Sequence, residues 1–188
     1  SECSLNSQLY LDIRDVTEQH LSGFDVIVHL AALSNDPMGS AFTALTREIN
    51  TESSQRLATL ARKAGVKKFV FASSCSIYGV DDGSRKTEGA IVEPLAEYAR
   101  SKVDVERALR EVADASFVVR SLRFATAFGM SGRFRSDLVV NDLTLGALQT
   151  GQVEVRSDGS PWRPLIHVGD MARAIDWAIE DEAASADH

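Results

Sequence analysis

Two cysteines, Cys3 and Cys75, are all that 188 residues contain, too few and too widely separated for a disulfide framework or a zinc-ligand set. That usage suits a reducing compartment, and a cytoplasmic protein is expected. No apolar run approaches the length of a membrane span, and the first residues lack the pattern of a signal peptide, so no membrane partner is expected. Cationic charge is also short. Twenty Lys and Arg stand against 27 Asp and Glu, a net charge of −7, which argues against nucleic acid or an anionic membrane surface as partner. Repeats and low-complexity segments are missing. What remains is an ordinary globular composition, 44% hydrophobic and 25% charged, at a length that supports one good core or two small ones.

Short β-type runs alternate with helical ones. Leu9-Tyr10-Leu11 reads as a weak strand and residues 25–30 as a stronger one. Residues 41–64 carry apolar positions at helical spacing, with Gly65 as the stop. Residues 67–73 read as the next strand, with a continuous apolar centre over 69–72 as in a strand covered on both faces. A helix over 95–113 and a strand over 116–122 follow. This alternation predicts an α/β fold, a doubly wound parallel sheet with right-handed crossovers. Ligands of such sheets collect outside the carboxyl ends of the strands, where the polar clusters after His29, Phe71 and Leu122 fall. Beyond Gly129 the texture changes. A Gly/Arg/Ser loop leads to a helix over 138–148, a short strand over 153–156, a turn at 158–161, a strand over 165–168 and an amphipathic helix from Asp170. The expected division is residues 1–129 as a cofactor-binding and catalytic domain and 130–188 as a small substrate lobe whose last helix packs back on the sheet.

Tyr98-Ala99-Arg100-Ser101-Lys102 places a phenol and an ammonium one helical turn apart, on one face of a helix. A nearby cation favours the phenolate and lowers the tyrosine pKa, which makes the phenol an acid or base usable near neutral pH. The strand before it runs into the hydroxyl-rich turn Ser73-Ser74-Cys75-Ser76. Ser74 at a strand end, with Tyr98 and Lys102 on the next helix, forms a proton-transfer set suited to a carbonyl or carbinol. Taken alone, Tyr-x-x-x-Lys is also found on ordinary surface helices.

Taken in order, these residues resemble the extended short-chain dehydrogenase/reductase family, in its nucleotide-sugar epimerase/dehydratase branch, over nearly the whole chain. The resemblance implies an incomplete Rossmann-like sheet and catalysis by Ser74, Tyr98 and Lys102. Tyr98 as phenolate would take the proton of a sugar hydroxyl, Lys102 would hold it ionised and contact the nicotinamide ribose, and Ser74 would steer the same oxygen. The cofactor implied is NAD, with NADP not excluded, and the partner a nucleotide-sugar. Asp12 and Ile13 match the segment that holds the adenine. Leu30, Ala31 and Ala32, after His29, match the strand end beneath the cofactor, joined by Asn50 and Ala72. Thr126 stands where a substrate-binding Asn is common, and Arg163, within Trp162-Arg163-Pro164-Leu165-Ile166-His167-Val168, matches the Arg that grips the diphosphate. A homodimer is implied, pairing the helix of Tyr98 with that of residues 41–64. None of the twelve glycines forms the G-x-x-G-x-x-G turn with which the family begins. The chain is therefore expected to be a fragment lacking that unit and a C-terminal portion.

Plainer roles stand beside these. Asp12 suits a helix cap, His29 and His167 suit satisfied structural histidines, and Cys75 suits a small packing group with Ser73 and Ser76 as turn residues. Arg133 and Arg135 could be phosphate contacts or solvated charges. Asn141 could touch uridine or phosphate, or be a polar residue on a helix face. Within the family, dehydratases carry an Asp-Glu pair directly after the catalytic Thr. Cys75 and Ser76 stand there instead, so the resemblance favours an epimerase over a dehydratase, while a ketone reductase using the same three residues with NADPH stays open. A protein of another class, a non-catalytic cofactor-binding scaffold, is the remaining alternative.

Overall fold

The computed structural model describes residues 7–34, 42–80, 82–155, 157–159 and 162–182, so Cys3 lies outside the described residues. Three parallel strands, β1 (Val26–His29), β2 (Lys68–Ser74) and β3 (Val118–Phe124), lie side by side in that order. Val26 is level with Lys68 and Lys68 with Val118, so the carboxyl ends emerge along one edge. Parallel neighbours need a crossover. The first comprises α2 (Thr43–Thr46), a π-helical turn (Arg47–Glu52) and α3 (Ser53–Lys63); the second contains α4 (Glu97–Val112). A single turn, α1 (Glu18–Leu21), precedes β1. After β3 the chain adds β4 (Thr126–Phe128), α5 (Val139–Thr150), β5 (Leu165–His167) and α6 (Val168–Glu180), with β4 and β5 paired in parallel.

Alternation along β2 assigns the two faces. Phe69 and Phe71 are buried against Leu57, Ala58 and Ala61 of α3, Val105 and Leu109 of α4, and Phe117. From the other face, Lys68 Nζ donates to the carbonyls of Ile179 at 2.6 Å and Asp181 at 2.5 Å, at the end of α6. Arg120 adds two bonds to Asp181 Oδ2, at 3.0 and 2.8 Å. Both cations meet the negative end of the helix dipole, where positive charge is favoured. The expected α/β, doubly wound, Rossmann-like sheet is what these elements form.

Two expected strands are not formed. Residues 9–11 and 153–155 are irregular, and Leu9, Tyr10, Val153 and Val155 are exposed. A short apolar run without a neighbouring strand has no ladder to join. The long helix expected over 41–64 runs continuously from Thr43 to Lys63 with the π turn inside it, and Gly65 at φ +83° follows its end as anticipated. The last helix starts at Val168, not Asp170, because His167 caps it: its Nδ1 accepts from the Gly169 N–H at 3.1 Å. Gly129, at φ +112°, lies against that histidine, and a Cβ there would come within 2.6 Å of His167 Nε2.

Arg120→Ala removes both bonds to Asp181, and hydrogen bonds to charged groups contribute about 1.5–3 kcal/mol each at most. The variant is expected to lose about 1–3 kcal/mol in urea unfolding. Amide exchange should accelerate first in α6.

Candidate active site

Helix α4 presents Tyr98 and Lys102 toward the end of β2. Lys102 is 4% exposed, and its Nζ donates to the Ala72 carbonyl at 2.7 Å. The ammonium lies 4.6 Å from the Phe71 ring centroid and 5.4 Å from that of Tyr98. Phenol and cation are thus neighbours, as the helical spacing requires. Burial pushes the Lys102 pKa down to about 8, against an upward pull from the Glu106 carboxylate. The Ser101 hydroxyl donates to the Tyr98 carbonyl at 2.7 Å and steadies the first turn of the helix.

Ser74, the last residue of β2, caps the 3-10 turn Cys75–Tyr78. It accepts from the Ser76 N–H at 3.2 Å and the Ser76 hydroxyl at 2.9 Å. Both bonds are accepted by Ser74, so neither consumes its own hydroxyl hydrogen. The half-buried Cys75 thiol is pushed up by burial, with a smaller downward pull from the Arg163 guanidinium. Arg163 is exposed, in the segment before β5. Thr126 joins it: its N–H donates to the Pro164 carbonyl at 3.1 Å.

At the end of β1, Leu30 and Ala31 are exposed and Ala32 half-buried. Asn50 fastens this segment, accepting from the Leu33 N–H at 2.8 Å and donating to the Leu33 carbonyl at 3.0 Å. A longer contact at 3.4 Å reaches the Ser101 hydroxyl and ties the segment to α4. The π turn carries Asn50, and such turns recur at functional sites. Asp12 caps the 3-10 turn Ile13–Asp15 and pairs with Arg14, which holds its carboxyl down at about 2. Ile13 packs against the core. His29 is a satisfied structural histidine: Nε2 lies 2.7 Å from the Ser54 hydroxyl, and its ring is 5.7 Å from that of Phe71. Burial, then the Lys102 charge, lowers its pKa to about 4.

Asn141 is buried, and its amide is committed to backbone, accepting from the Gly129 N–H at 3.1 Å and donating to the Arg135 carbonyl at 2.9 Å. It fastens the 129–135 loop onto α5. Arg135 pairs with Asp137 through two contacts of 2.6 Å and donates to the Ser34 hydroxyl at 3.3 Å. The Asp137 carboxylate holds the Arg135 pKa above its ordinary value, against burial. Arg133 is exposed.

Sequence reasoning missed a buried cluster behind Lys102. Glu106 is 3% exposed and accepts from Arg123 of β3 at 2.7 Å and from the Ser73 hydroxyl. Arg123 also donates to the Tyr78 phenol at 2.9 Å and the Glu88 carbonyl at 2.8 Å. One signal was available: Glu106 follows Lys102 by four residues, on the same helix face.

The lowered lysine pKa has a signed consequence. Unfolded, Lys102 titrates near 10.5; folded, near 8. Between those values the unfolded chain holds the extra proton, so stability rises with pH across that window. Lys102→Met is expected to flatten this rise, by up to about 3 kcal/mol, in denaturation curves taken from pH 7.5 to 10.5.

Comparison with known proteins gives the family. The family model described as NAD dependent epimerase/dehydratase family matches residues 5–188. An N-acetyl-alpha-D-glucosaminyl-diphospho-ditrans,octacis-undecaprenol 4-epimerase of Escherichia coli O157:H7 is 27% identical, over 92% of this chain and 51% of its own length. A UDP-glucose 4-epimerase of Bacillus subtilis (strain 168) is 30% identical, over 83% of this chain and 51% of its own. The structure of MoeE5 in complex with UDP-glucose and NAD superposes with a TM-score of 0.84 at 30% identity, covering 95% of this chain and 60% of MoeE5. The chain thus spans about half the length of the curated relatives it matches. With a parallel sheet, a buried lysine beside a tyrosine, and a family model spanning residues 5–188, the chain belongs to the NAD dependent epimerase/dehydratase family.

Proposed function

We propose that this chain carries the proton-transfer site of an NAD-dependent epimerase that acts on a nucleotide-sugar through a transient keto intermediate. The observation that carries the proposal is the Lys102 ammonium, buried on the Ala72 carbonyl and 5.4 Å from the Tyr98 ring centroid. A cation so placed stabilises the phenolate, and Tyr98 then takes the proton of a sugar hydroxyl. Ser74 directs its hydroxyl hydrogen to the same oxygen. Once the keto sugar has turned over in the site, Tyr98 returns the proton to the oxygen as the carbon regains hydride on its opposite face, and the carbon is inverted.

The residues present fit a dinucleotide. Leu30 and Ala31 offer an exposed apolar floor at the end of β1, and Asn50 satisfies the Leu33 backbone on both sides so that the floor stays in place. Leu30, Ala31, Ala32, Asn50, Ala72 and Lys102 would hold NAD there, with Asp12 and Ile13 at its adenine end. NAD supplies a hydride acceptor and donor for the carbon bearing the deprotonated hydroxyl. Arg163, exposed beside Thr126, is the cation for the substrate diphosphate, which a guanidinium can contact in bidentate fashion. Asn141 acts by fastening the 129–135 loop that closes this side.

Epimerisation is favoured over dehydration by the turn after Ser74. Elimination needs an added acid and base, whereas Cys75 offers a thiol whose pKa is raised and Ser76 spends its hydroxyl on Ser74. The reading includes a cytoplasmic setting and a homodimer through α3 and α4, between which a shallow groove is lined by Ala58, Thr59, Ala108 and Leu109.

Incubating a protein that carries this chain together with the family's glycine-rich dinucleotide turn with NAD and UDP-glucose, and following the anomeric proton by NMR, tests the reading: a C4 epimer is expected. A 4-keto-6-deoxy product would establish dehydration instead, and no binding of NAD by that protein in a fluorescence titration would favour the scaffold. Tyr98→Phe should lower turnover by roughly 10²- to 10⁴-fold with circular dichroism unchanged.

A further inference from the structure

The proposed chemistry uses Tyr98, Lys102 and Ser74 and leaves unused a buried carboxylate one turn further along α4. Glu106 is 3% exposed. Arg123 grips it from β3, with Nε 3.1 Å from Oε1 and a terminal nitrogen 2.7 Å from Oε2, and Arg123 itself is largely buried. The Ser73 hydroxyl donates to Oε1, and Arg110 reaches Oε2 at 3.3 Å from the solvent side. Lys102 and Glu106 are therefore anchored to consecutive residues of β2, the lysine on the Ala72 carbonyl and the glutamate on the Ser73 hydroxyl. So many fixed donors keep the carboxylate from swinging out to pair with the ammonium. It stands behind Lys102 as an immobile negative charge.

Such a charge answers a specific problem. An ammonium taken out of water tends to give up its proton, by as much as 3–5 pKa units for a fully buried group, roughly. A neutral lysine would lose its pull on the phenol. The groups around Lys102 are Tyr98 and Glu106 from its own helix, the Ala72 carbonyl and Phe71 ring from β2, neutral His29 from β1, and Arg123 from β3 behind Glu106. Among these, Glu106 is the charge that favours the protonated lysine.

We propose that Glu106 is a positioning residue for Lys102: locked by Arg123 and Ser73, its carboxylate keeps the ammonium charged and seated on the Ala72 carbonyl beside Tyr98. The purpose of this device rests on the proton-transfer reading of Tyr98 and Lys102, but its test does not.

The test follows the Lys102 titration directly, by NMR of protein labelled at lysine Cε, with Lys102→Arg assigning the signal. Glu106→Gln is expected to lower the midpoint by about one unit from its native value near 8. A merely structural role predicts the opposite sign, because a loosened site admits water and lets the lysine rise toward its ordinary value. A midpoint that rises or stays put in Glu106→Gln overturns the proposal. Removing one partner of a buried pair strands the other and can unfold the protein. The second variant, Glu106→Gln with Arg123→Met, replaces the pair by neutral groups and should lower the midpoint as well; a rise there is equally fatal. Glu106→Asp, which keeps the charge, should hold it near the native value. Failure to bind NAD or to epimerise a nucleotide-sugar would sink the functional proposal and leave this titration readable.

Discussion

One ammonium, out of water and hung on a backbone carbonyl, organises the active edge of this protein. Lys102 joins α4 to β2 through Ala72, lies against the rings of Phe71 and Tyr98, and contributes to keeping His29 neutral. Taking that charge out of water costs stability, which the fold offsets with the core of Phe69, Phe71, Val105, Leu109 and Phe117 between β2, α3 and α4. Functional sites commonly carry an unfavourable group that the surrounding core must offset. Here the unfavourable group is also the one that makes a phenol acidic.

The site is assembled from pieces far apart in the chain, each held by backbone contacts. Asn50 reads both polar groups of Leu33, Asn141 those of Gly129 and Arg135, and Ser74 those of its own turn. Amide side chains suit this work because each carries a donor and an acceptor at fixed geometry. Strand β2 is the common reference. Its first residue anchors the end of α6, and residues 72–74 anchor the lysine, Glu106 and the 3-10 turn.

Much of this was legible in the sequence. The alternation of short β-type runs with helical ones, and the apolar centres of β1 and β2, announce a covered parallel sheet, and the spacing of Tyr98 and Lys102 announces their shared helix face. The run at 9–11 misled because strand formation depends on a neighbour, which three residues cannot reveal. The pairing of Glu106 with Arg123 was illegible because charged residues usually face water, and the two lie 17 residues apart, on a helix and on the strand that follows it. The role of Asn141 was hidden for the same reason: its partners are main-chain groups, which carry no side-chain signature.

The π turn at Arg47–Glu52 has a consequence for how this fold can drift. A π turn contains one residue more than the α-helical turn it replaces, and each residue of an α-helix advances the direction of its side chain by about 100°. Deleting a single residue there would restore a regular helix and swing the Asn50 amide away from Leu33. Insertions and deletions that surface loops absorb freely are barred from this stretch. Length, more than composition, is what natural variation must preserve within the turn that carries Asn50.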